Sequence, residues 1–243
     1  MLKRLVKSFA KRCGYEILGS RGAYAAQRSL AGLLRQEQIN LVLDVGANKG
    51  QFAGELRACG YRGRLISFEP LSSVHALLRS KAERFPNWTV AARTAIGAER
   101  GSVEIHISEK SACSSILDMH PRCLEAAPRS IYVGSETVPV NRLDDLCALS
   151  PDDRALLKID VQGYEDKVLE GASRVLSACR AVHVEMELLP LYEGQVLARE
   201  LWDLLTAQGF EPWSLEPGLR DPVTFRLLQI DGVFVRHGEE SQV

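Results

Sequence analysis

The stretch that most constrains this chain is LVLDVGANKGQF, at residues 41–52. Five mostly apolar residues run into a turn that contains Gly46 and Gly50, and a helical pattern follows from Gln51 to Ala58. A short apolar run that ends in glycines and leads into a helix is typical of the strand–turn–helix unit of an α/β protein. We therefore expect the single acid in the run, Asp44, to lie near the carboxyl end of a buried strand.

The same alternation of strands and helices continues along most of the chain. Apolar periodicity predicts helices at 23–35, 72–84, 164–179 and 195–208, and strands at 65–69, 88–92, 156–161, 181–187, 210–215 and 230–235. The last two strands are close enough in sequence to form a terminal hairpin. The pattern indicates a doubly wound α/β protein, in which helices cover both faces of a mostly parallel sheet.

The middle of the chain departs from this alternation. Residues 102–107 alternate apolar and polar side chains and predict a half-exposed strand, and residues 137–140 predict another short strand. Between them, the segment 108–136 is rich in serine, proline and charge. It is either a cover over the active site or a mobile insertion.

The composition argues against several classes of function. With 30 basic and 31 acidic side chains, the chain has a formal net charge of −1 and lacks the basic footprint of a nucleic-acid-binding protein. Its six cysteines form no CxxC pair, which argues against a zinc site and indicates thiols in a reducing compartment. The sequence has neither an apolar run of about 18 residues nor a signal peptide. We therefore expect a cytoplasmic protein.

The first 36 residues are strongly basic, with Glu16 as their single acid. A short apolar stripe at helical spacing runs through Leu2, Leu5, Val6 and Phe9. This leader is either a terminal helix that lies on the domain with a solvated basic face, or a weak peripheral contact with a membrane or an acidic partner. The predicted organisation is a helical leader at 1–36, one domain at 37–237 and a disordered tail at 238–243.

Two acids at the ends of neighbouring strands indicate the ligand. Asp44 precedes the glycine turn, where a carboxylate repels phosphate and attracts a cation, and Glu69 ends the next strand. An acid in the position of Glu69 can accept hydrogen bonds from ribose hydroxyls. The turn matches neither the dinucleotide fingerprint GxGxxG nor the P-loop GxxxxGK[ST]. The pair therefore favours a nucleoside with a cationic amino-acid tail, such as S-adenosylmethionine, over a helix cap at Asp44 and a surface acid at Glu69.

Four segments carry a resemblance to a known family. VLDVGANKGQF, ISFEP, LLKIDVQGYEDKVLEGA and EMELLPLYEGQ are similar to motifs of the FkbM-type S-adenosylmethionine-dependent methyltransferases, and the likeness runs from about Asn40 to Arg236. The first motif marks the broad class I methyltransferase fold, whereas KIDVQGYE with the following LEGA is more specific to this family. Gln162 stands where many members have glutamate.

The resemblance implies a doubly wound, mostly parallel seven-stranded sheet with a terminal antiparallel strand, and methyl transfer that is usually to a hydroxyl oxygen. It also implies a set of residues that bind S-adenosylmethionine. Together with the two acids, the predicted cofactor-binding residues are Asp44, Gly46, Asn48, Gly50, Phe52, Glu69, Pro70, Ala95, Ile96 and Ser115.

The candidate catalytic residues lie on two later strands. Asp160 ends the apolar strand LLKID, and Lys158 in the same strand can pair with it, pair with a substrate acid or reach solvent. In VHVEME, His183, Glu185 and Glu187 share one face of a strand whose two faces should both be apolar. Either this face opens into the site, with His183 as a base, or the three groups are buried and hydrogen-bonded to one another. Asp160 with a glutamate could also hold Mg²⁺, but nothing in the spacing requires a metal.

These patterns predict an O-methyltransferase that acts on a hydroxyl of a small molecule, sugar or glycan. Two alternatives remain open on the sequence: a non-catalytic module that only binds the nucleoside, and a nicotinamide-dependent oxidoreductase. A nucleic-acid methyltransferase is disfavoured, because the chain lacks a (D/N)PP(Y/F) tetrapeptide to hold a flipped base.

Overall fold

In the computed structural model, residues 21–236 are described, and they form two β-sheets with helices packed around the larger one. The strands are β1 Leu41–Val45, β2 Arg64–Phe68, β3 Trp88–Val90, β4 Ala95–Ile96, β5 Gly101–Ser108, β6 Tyr132–Asn141, β7 Ala155–Ile159, β8 Cys179–Glu187, β9 Phe210–Pro217 and β10 Gln229–Arg236. The helices are α1 Arg21–Gln36, α2 Gln51–Ala58, α3 Ser72–Ala82, α4 Pro121–Ala126, α5 Leu143–Leu146, α6 Glu165–Glu170, α7 Ser173–Ala178 and α8 Ala198–Ala207. The apolar stripe of the predicted leader and the predicted tail lie outside these residues. Within 21–236, no helix is long and apolar enough to cross a bilayer.

The larger sheet has seven strands in the order β3-β2-β1-β7-β8-β10-β9. Strand β10 is antiparallel to both of its neighbours, and the other strands are parallel to one another. This arrangement confirms the predicted doubly wound sheet and the terminal hairpin of β9 and β10. The order of the strands reverses between β1 and β7, and the carboxyl edge at such a reversal is where open α/β sheets bind ligands.

Helices cover both faces of this sheet, and period-two alternation decides which side chains reach which core. Leu43 and Val45 of β1 pack with α5, α6, α7 and α8, whereas Val42 packs with α1, α2 and α3. Since Asp44 is two residues from Val42, it points to the side of α1, α2 and α3. Every residue of β1 is buried, as expected of a central parallel strand.

The middle segment forms a second sheet in the order β4-β6-β5, in which β5 and β6 are longer than predicted. The residues between them contain α4 and two 3₁₀ turns, at Ser111–Cys113 and Pro128–Ser130. Cys123 of α4 packs in a small core with Leu191, Tyr192 and Leu228. This segment is therefore attached to the loop after β8 by its own apolar contacts.

The helix predicted at 164–179 is wrong in one respect, because the structure has two helices there, α6 and α7. Gly171 lies between them, and a Cβ at this position would be 2.0 Å from the carbonyl oxygen of Gly97. Asp144 then accepts hydrogen bonds from the backbone N–H groups of Arg174 and Val175 in the first turn of α7. The break thus results from a close backbone approach and a cap from a distant residue.

The turn after β1 gives a direct test of this fold. Gly46 has a φ of 76°, and a Cβ added to it would be 1.8 Å from the carbonyl oxygen of Asp160. We expect Gly46→Ala to lower the free energy of unfolding by more than about 2 kcal/mol in urea denaturation. The matched control is Gly54→Ala in α2, where an added Cβ would have no neighbour within 4 Å. This variant should gain about 0.5–1 kcal/mol, and equal stability of the two variants would contradict the tight turn.

Candidate active site

A cavity of about 290 Å³, the first cavity, opens at the carboxyl ends of β1, β2, β7 and β8. The small sheet closes one side of it through Ala95, Ile96 and Ile105. Its wall includes several carboxylates and one lysine, Lys158. The site therefore lies at the edge of the sheet where the strand order predicts a ligand.

Strand register explains why polar groups meet here. Ser67, Asp44, Lys158 and His183 are partners in one row across β2, β1, β7 and β8, and they point to the same face of the sheet. This row follows an apolar one that includes Val42 and belongs to the core. The polar side chains are thus the last residues before the sheet opens into the cavity.

The glycine turn holds Glu69 in the cavity wall. Glu69 is 4% exposed, and its two carboxylate oxygens accept hydrogen bonds of 2.9 Å from the backbone N–H groups of Asn48 and Leu71. Asn48 has a φ of 45°, in the left-handed region. Burial raises the pKa of Glu69 to about 7, although the two backbone donors lower it. This carboxyl group therefore titrates near neutral pH.

Lys158 joins the ends of β1 and β7. Its Nζ lies 3.2 Å from Asp160 Oδ2, 3.6 Å from Asp44 Oδ1 and 3.3 Å from the carbonyl oxygen of Gly46. The remaining oxygen of Asp44 accepts a hydrogen bond of 3.2 Å from Ser67. Burial lowers the pKa of the ammonium, but the two carboxylates outweigh burial, so the net shift is upward. Lys158 is therefore a permanent cation that the two acids compensate.

Gln162 connects Asp160 to Glu185 on the next strand. Its amide nitrogen donates to Asp160 Oδ1 at 2.8 Å and also to Glu185, while its amide oxygen accepts a hydrogen bond of 2.7 Å from the Tyr192 hydroxyl. Burial raises the pKa of Asp160, but Lys158 and Gln162 lower it more strongly. Burial and the charge of Asp160 raise the pKa of Glu185 well above its usual range. The surroundings thus favour the ionised form of Asp160 and the protonated form of Glu185.

His183, on β8, lies in the part of the cavity wall next to β10. Its ring makes an edge-to-face contact with Phe52 at a centroid distance of 5.3 Å, and its Nε2 is 3.8 Å from Asp231 Oδ1. Its Nδ1 is buried and has no hydrogen-bond partner among residues 21–236. Glu55 is nearby, and burial raises the pKa of Glu55 while His183 lowers it. Two acids, Asp231 and Glu55, therefore lie near the imidazole.

The segment between β5 and β6 forms a cover over the cavity. Ser111, Ser114 and Ser115 line it, and Ser115 Oγ donates a hydrogen bond of 2.6 Å to the carbonyl oxygen of Gln162. Ser111 Oγ lies 3.3 Å from the side-chain oxygen of Asn48. The cover is thus attached both to the glycine turn and to the loop after β7. Of the two predictions for 108–136, the structure supports the cover.

Most of the residues predicted for the site lie in the wall of the first cavity. They are Gly46, Asn48, Phe52, Glu69, Pro70, Ala95, Ile96, Ser115, Asp160, His183 and Glu185. The structure thus brings residues from both halves of the chain to one place.

Asp44, Gly50 and Glu187 lie outside this wall. Asp44 has no exposed surface, because it faces Lys158 and Ser67. Gly50, at a φ of 74°, precedes α2, and a Cβ there would be 2.7 Å from Trp88. Glu187 is fully buried and accepts a hydrogen bond of 2.9 Å from Gln195. These three residues therefore contact other residues of the protein, and their positions suit a role in holding the cavity wall in place.

Two acidic residues of the wall, Glu55 and Asp231, were not among the sequence predictions. Asp231 is an acid within the apolar strand QIDGVFV, which is the same signal that identified Asp44. Glu55 is on α2, three residues after Phe52, and therefore on the same helical face. No group of three or more His, Cys, Asp and Glu residues within 21–236 is arranged to hold a metal ion.

The buried ion cluster can be tested through stability. Lys158→Met leaves the Asp44 carboxylate buried without its cation, and we expect a loss of about 3–5 kcal/mol in the free energy of unfolding at pH 8. Because the unpaired carboxyl group binds a proton more readily in the folded protein than in the unfolded one, the loss should be smaller at pH 5.

Two further variants make this test specific. Adding Asp44→Asn to Lys158→Met should recover most of the lost stability at pH 8, since no buried charge then remains at Asp44. Lys81→Met is the control, because Lys81 is exposed and its Nζ bonds only the backbone carbonyls of Lys49 and Gly50 among described residues. Its loss should be about 1 kcal/mol or less, and an equal loss in both single variants would contradict the role of Lys158.

Comparison with known proteins adds relatives of this chain. The 2-O-methyltransferase NoeI of Sinorhizobium fredii (strain NBRC 101917 / NGR234) is 26% identical over 185 residues, which are 73% of this chain and 75% of NoeI. An rRNA methylase structure from Streptococcus thermophilus matches with a TM-score of 0.49 at 11% identity, covering 91% of this chain and 99% of that one. The magnesium protoporphyrin IX methyltransferase of Synechocystis PCC 6803, solved with bound S-adenosylmethionine, matches with a TM-score of 0.45 at 13% identity, covering 89% and 80%.

The model of the methyltransferase FkbM domain matches residues 44–212, which is more than half of the chain. The matched region begins at Asp44 and includes the glycine turn, Glu69, the cover and the two strands, β7 and β8, that precede or carry the candidate catalytic residues. It confirms the family predicted from the four motifs and supports S-adenosylmethionine as the cofactor. This chain belongs to the FkbM methyltransferase family.

Proposed function

We propose that this protein methylates a hydroxyl oxygen of a small molecule, sugar or glycan, with S-adenosylmethionine as donor. The observation that carries the proposal is the combination, in one acidic cavity, of the nucleoside-type carboxylate Glu69 and the imidazole of His183. The relative NoeI is a 2-O-methyltransferase, which supports a hydroxyl acceptor.

The residues of the first cavity fit the donor. Glu69 would accept hydrogen bonds from the ribose hydroxyls, and Ala95 with Ile96 would contact the adenine. The cationic groups of the amino-acid tail would find partners in the carboxylates of the wall. When bound, the donor supplies a methyl group on a positively charged sulfur. An acidic wall stabilises such a ligand by charge complementarity.

The protein has to align the acceptor hydroxyl and remove its proton. Asp160 is a weak base because Lys158 and Gln162 stabilise its ionised form. Burial and the charge of Asp160 raise the pKa of Glu185 and favour its protonated form, and Glu187 is fully buried. His183 is therefore the base, and Asp231 next to its Nε2 stabilises the imidazolium that forms. Glu185 and Glu187 act as positioning groups.

The base can be tested in an assay that follows S-adenosylhomocysteine release from a panel of hydroxylated acceptors, sugars and polyketides first. His183→Gln should lower kcat by about 10²–10⁴-fold, as for loss of a general base. The dissociation constant for S-adenosylmethionine should change less than about threefold. The control is His75→Gln, since His75 contacts the carbonyl of Ala91 outside the cavity and should leave kcat unchanged.

The same assay separates the proposal from its alternatives. Full activity of His183→Gln would refute the base. Donor binding without S-adenosylhomocysteine release from any acceptor would favour a non-catalytic binding module.

The contact of Glu69 with the donor predicts a pH dependence of binding. Because the pKa of Glu69 is about 7 and ribose hydroxyls bind the carboxylate form, affinity for S-adenosylmethionine should fall as the pH drops below 7. Calorimetry at pH 8 and pH 6 should give a loss of up to about tenfold in the wild type.

Glu69→Gln isolates this carboxylate from the titration of the donor itself. This variant should bind more weakly at pH 8 and lose less affinity than the wild type on going to pH 6. Glu83→Gln, at an exposed position just after α3, should behave as the wild type does. Identical pH profiles for the wild type and Glu69→Gln would contradict the ribose contact.

A further inference from the structure

A second cavity, of about 390 Å³, lies between α1, α2 and the hairpin of β9 and β10. Its apolar wall is formed by Leu30 and Leu33 of α1, Ala58 of α2, Trp213 of β9 and Val233 of β10. The volume is in the range of small-molecule sites. None of these residues lines the first cavity.

The two cavities meet at three residues. Glu55, His183 and Asp231 line both of them, so the imidazole stands at the junction. On one side of His183 lies the acidic wall with Glu69 and Asp160, and on the other side lies the apolar wall. A molecule that extends from the second cavity would therefore present its polar end at His183.

A β-bulge presents Trp213 to this cavity. Val233 is paired with Ser214, and Phe234 with Pro212, so Trp213 is an extra residue in β9 without a partner in the ladder. Such a bulge turns an additional side chain toward one face of the sheet. Trp213 and Ser214 both line the second cavity as a result, and the indole is 38% exposed.

We propose that the second cavity binds a flat apolar part of the methyl acceptor, such as an aryl group, and thereby presents the neighbouring hydroxyl to His183. The inference rests on the proposed function, because it assigns His183 as the base. It narrows the acceptor to molecules that combine a hydroxyl with an apolar ring, since a free sugar would leave Trp213 and Leu30 partly exposed.

The chemistry of the two walls favours an apolar group of the acceptor over the methyl donor as the occupant of the second cavity. Besides the shared Glu55 and Asp231, the first cavity has Glu69, Asp160 and Glu185, whereas the second cavity adds only Glu216. The cationic end of the donor is therefore matched better by the first cavity. An aromatic ring against an indole gains both buried apolar area and ring–ring contact. Glu55 and Asp231 remain at the junction to accept hydrogen bonds from hydroxyls beside the one that reacts.

Two glucosides that differ only in their apolar group test the proposal. Calorimetry with the protein saturated with S-adenosylhomocysteine should show 4-nitrophenyl β-D-glucopyranoside binding at least tenfold more tightly than methyl β-D-glucopyranoside. Equal affinity of the two glucosides, or no binding of the aryl glucoside, would overturn the inference.

A variant that fills the cavity locates the binding. Ala58→Phe places a ring in the apolar wall and should weaken aryl glucoside binding at least tenfold, with donor affinity unchanged. Ala207→Phe is the matched control, since Ala207 is likewise the exposed last residue of its helix, α8. Its affinity for the aryl glucoside should equal that of the wild type, and an equal loss in both variants would overturn the location.

Fluorescence gives a second reading that does not depend on the folding of Ala58→Phe. The nitrophenyl group quenches nearby indoles, so the aryl glucoside should quench wild-type fluorescence, and Trp213→Phe should lose most of this quenching while it still binds. Undiminished quenching in Trp213→Phe would overturn the inference.

Measuring S-adenosylmethionine binding alongside aryl glucoside binding distinguishes a failure of the proposed function from a failure of the second-cavity proposal. Absence of S-adenosylmethionine binding, with normal aryl glucoside binding, would count against the proposed function alone. Normal donor binding and turnover without any preference for the aryl glucoside would count against the second cavity alone.

Discussion

The ion cluster around Lys158 is the interaction on which the site depends. Burying a lysine in a central strand of a covered sheet costs free energy unless its charge is compensated. Here Asp44 in β1 and Asp160 just after β7 compensate the charge of Lys158. The same ammonium contacts the carbonyl oxygen of Gly46, so the cluster also fixes the start of the glycine turn. The two strands that flank the reversal of the sheet are thus joined by charge as well as by their ladder.

The cluster determines which group can act as a base. Lys158 lowers the pKa of Asp160, and the charge of Asp160 in turn contributes to the raised pKa of Glu185. Gln162 holds the two carboxyl groups together, because its amide nitrogen donates hydrogen bonds to Asp160 and to Glu185. The hydroxyl of Tyr192 donates a hydrogen bond to the amide oxygen of Gln162. The proposed reaction therefore assigns the role of base to His183 and not to either of these acids.

Much of this arrangement could be predicted from the sequence. Apolar runs that end in an acid, as at Asp44, Glu69 and Asp160, identified the strands and their ligand-binding edge, because burial makes a charged residue conspicuous. The partner of Asp44 could not be predicted, since strand register decides that it faces Lys158 and lies outside the cavity wall. The break at Gly171 depends on a distant backbone contact, which no local pattern reveals.

The register that builds the polar row also explains why two different cavities meet at His183. The row runs from Ser67 through Asp44 and Lys158 to His183, and its next member on β10 is Val233. This row therefore changes from polar to apolar between the neighbouring strands β8 and β10. A positively charged donor is suited to the polar part of the row on β1, β7 and β8, and an apolar ring is suited to the side of β10. The proposed base, His183, lies at this boundary, where a hydroxyl next to an apolar ring could also reach the donor.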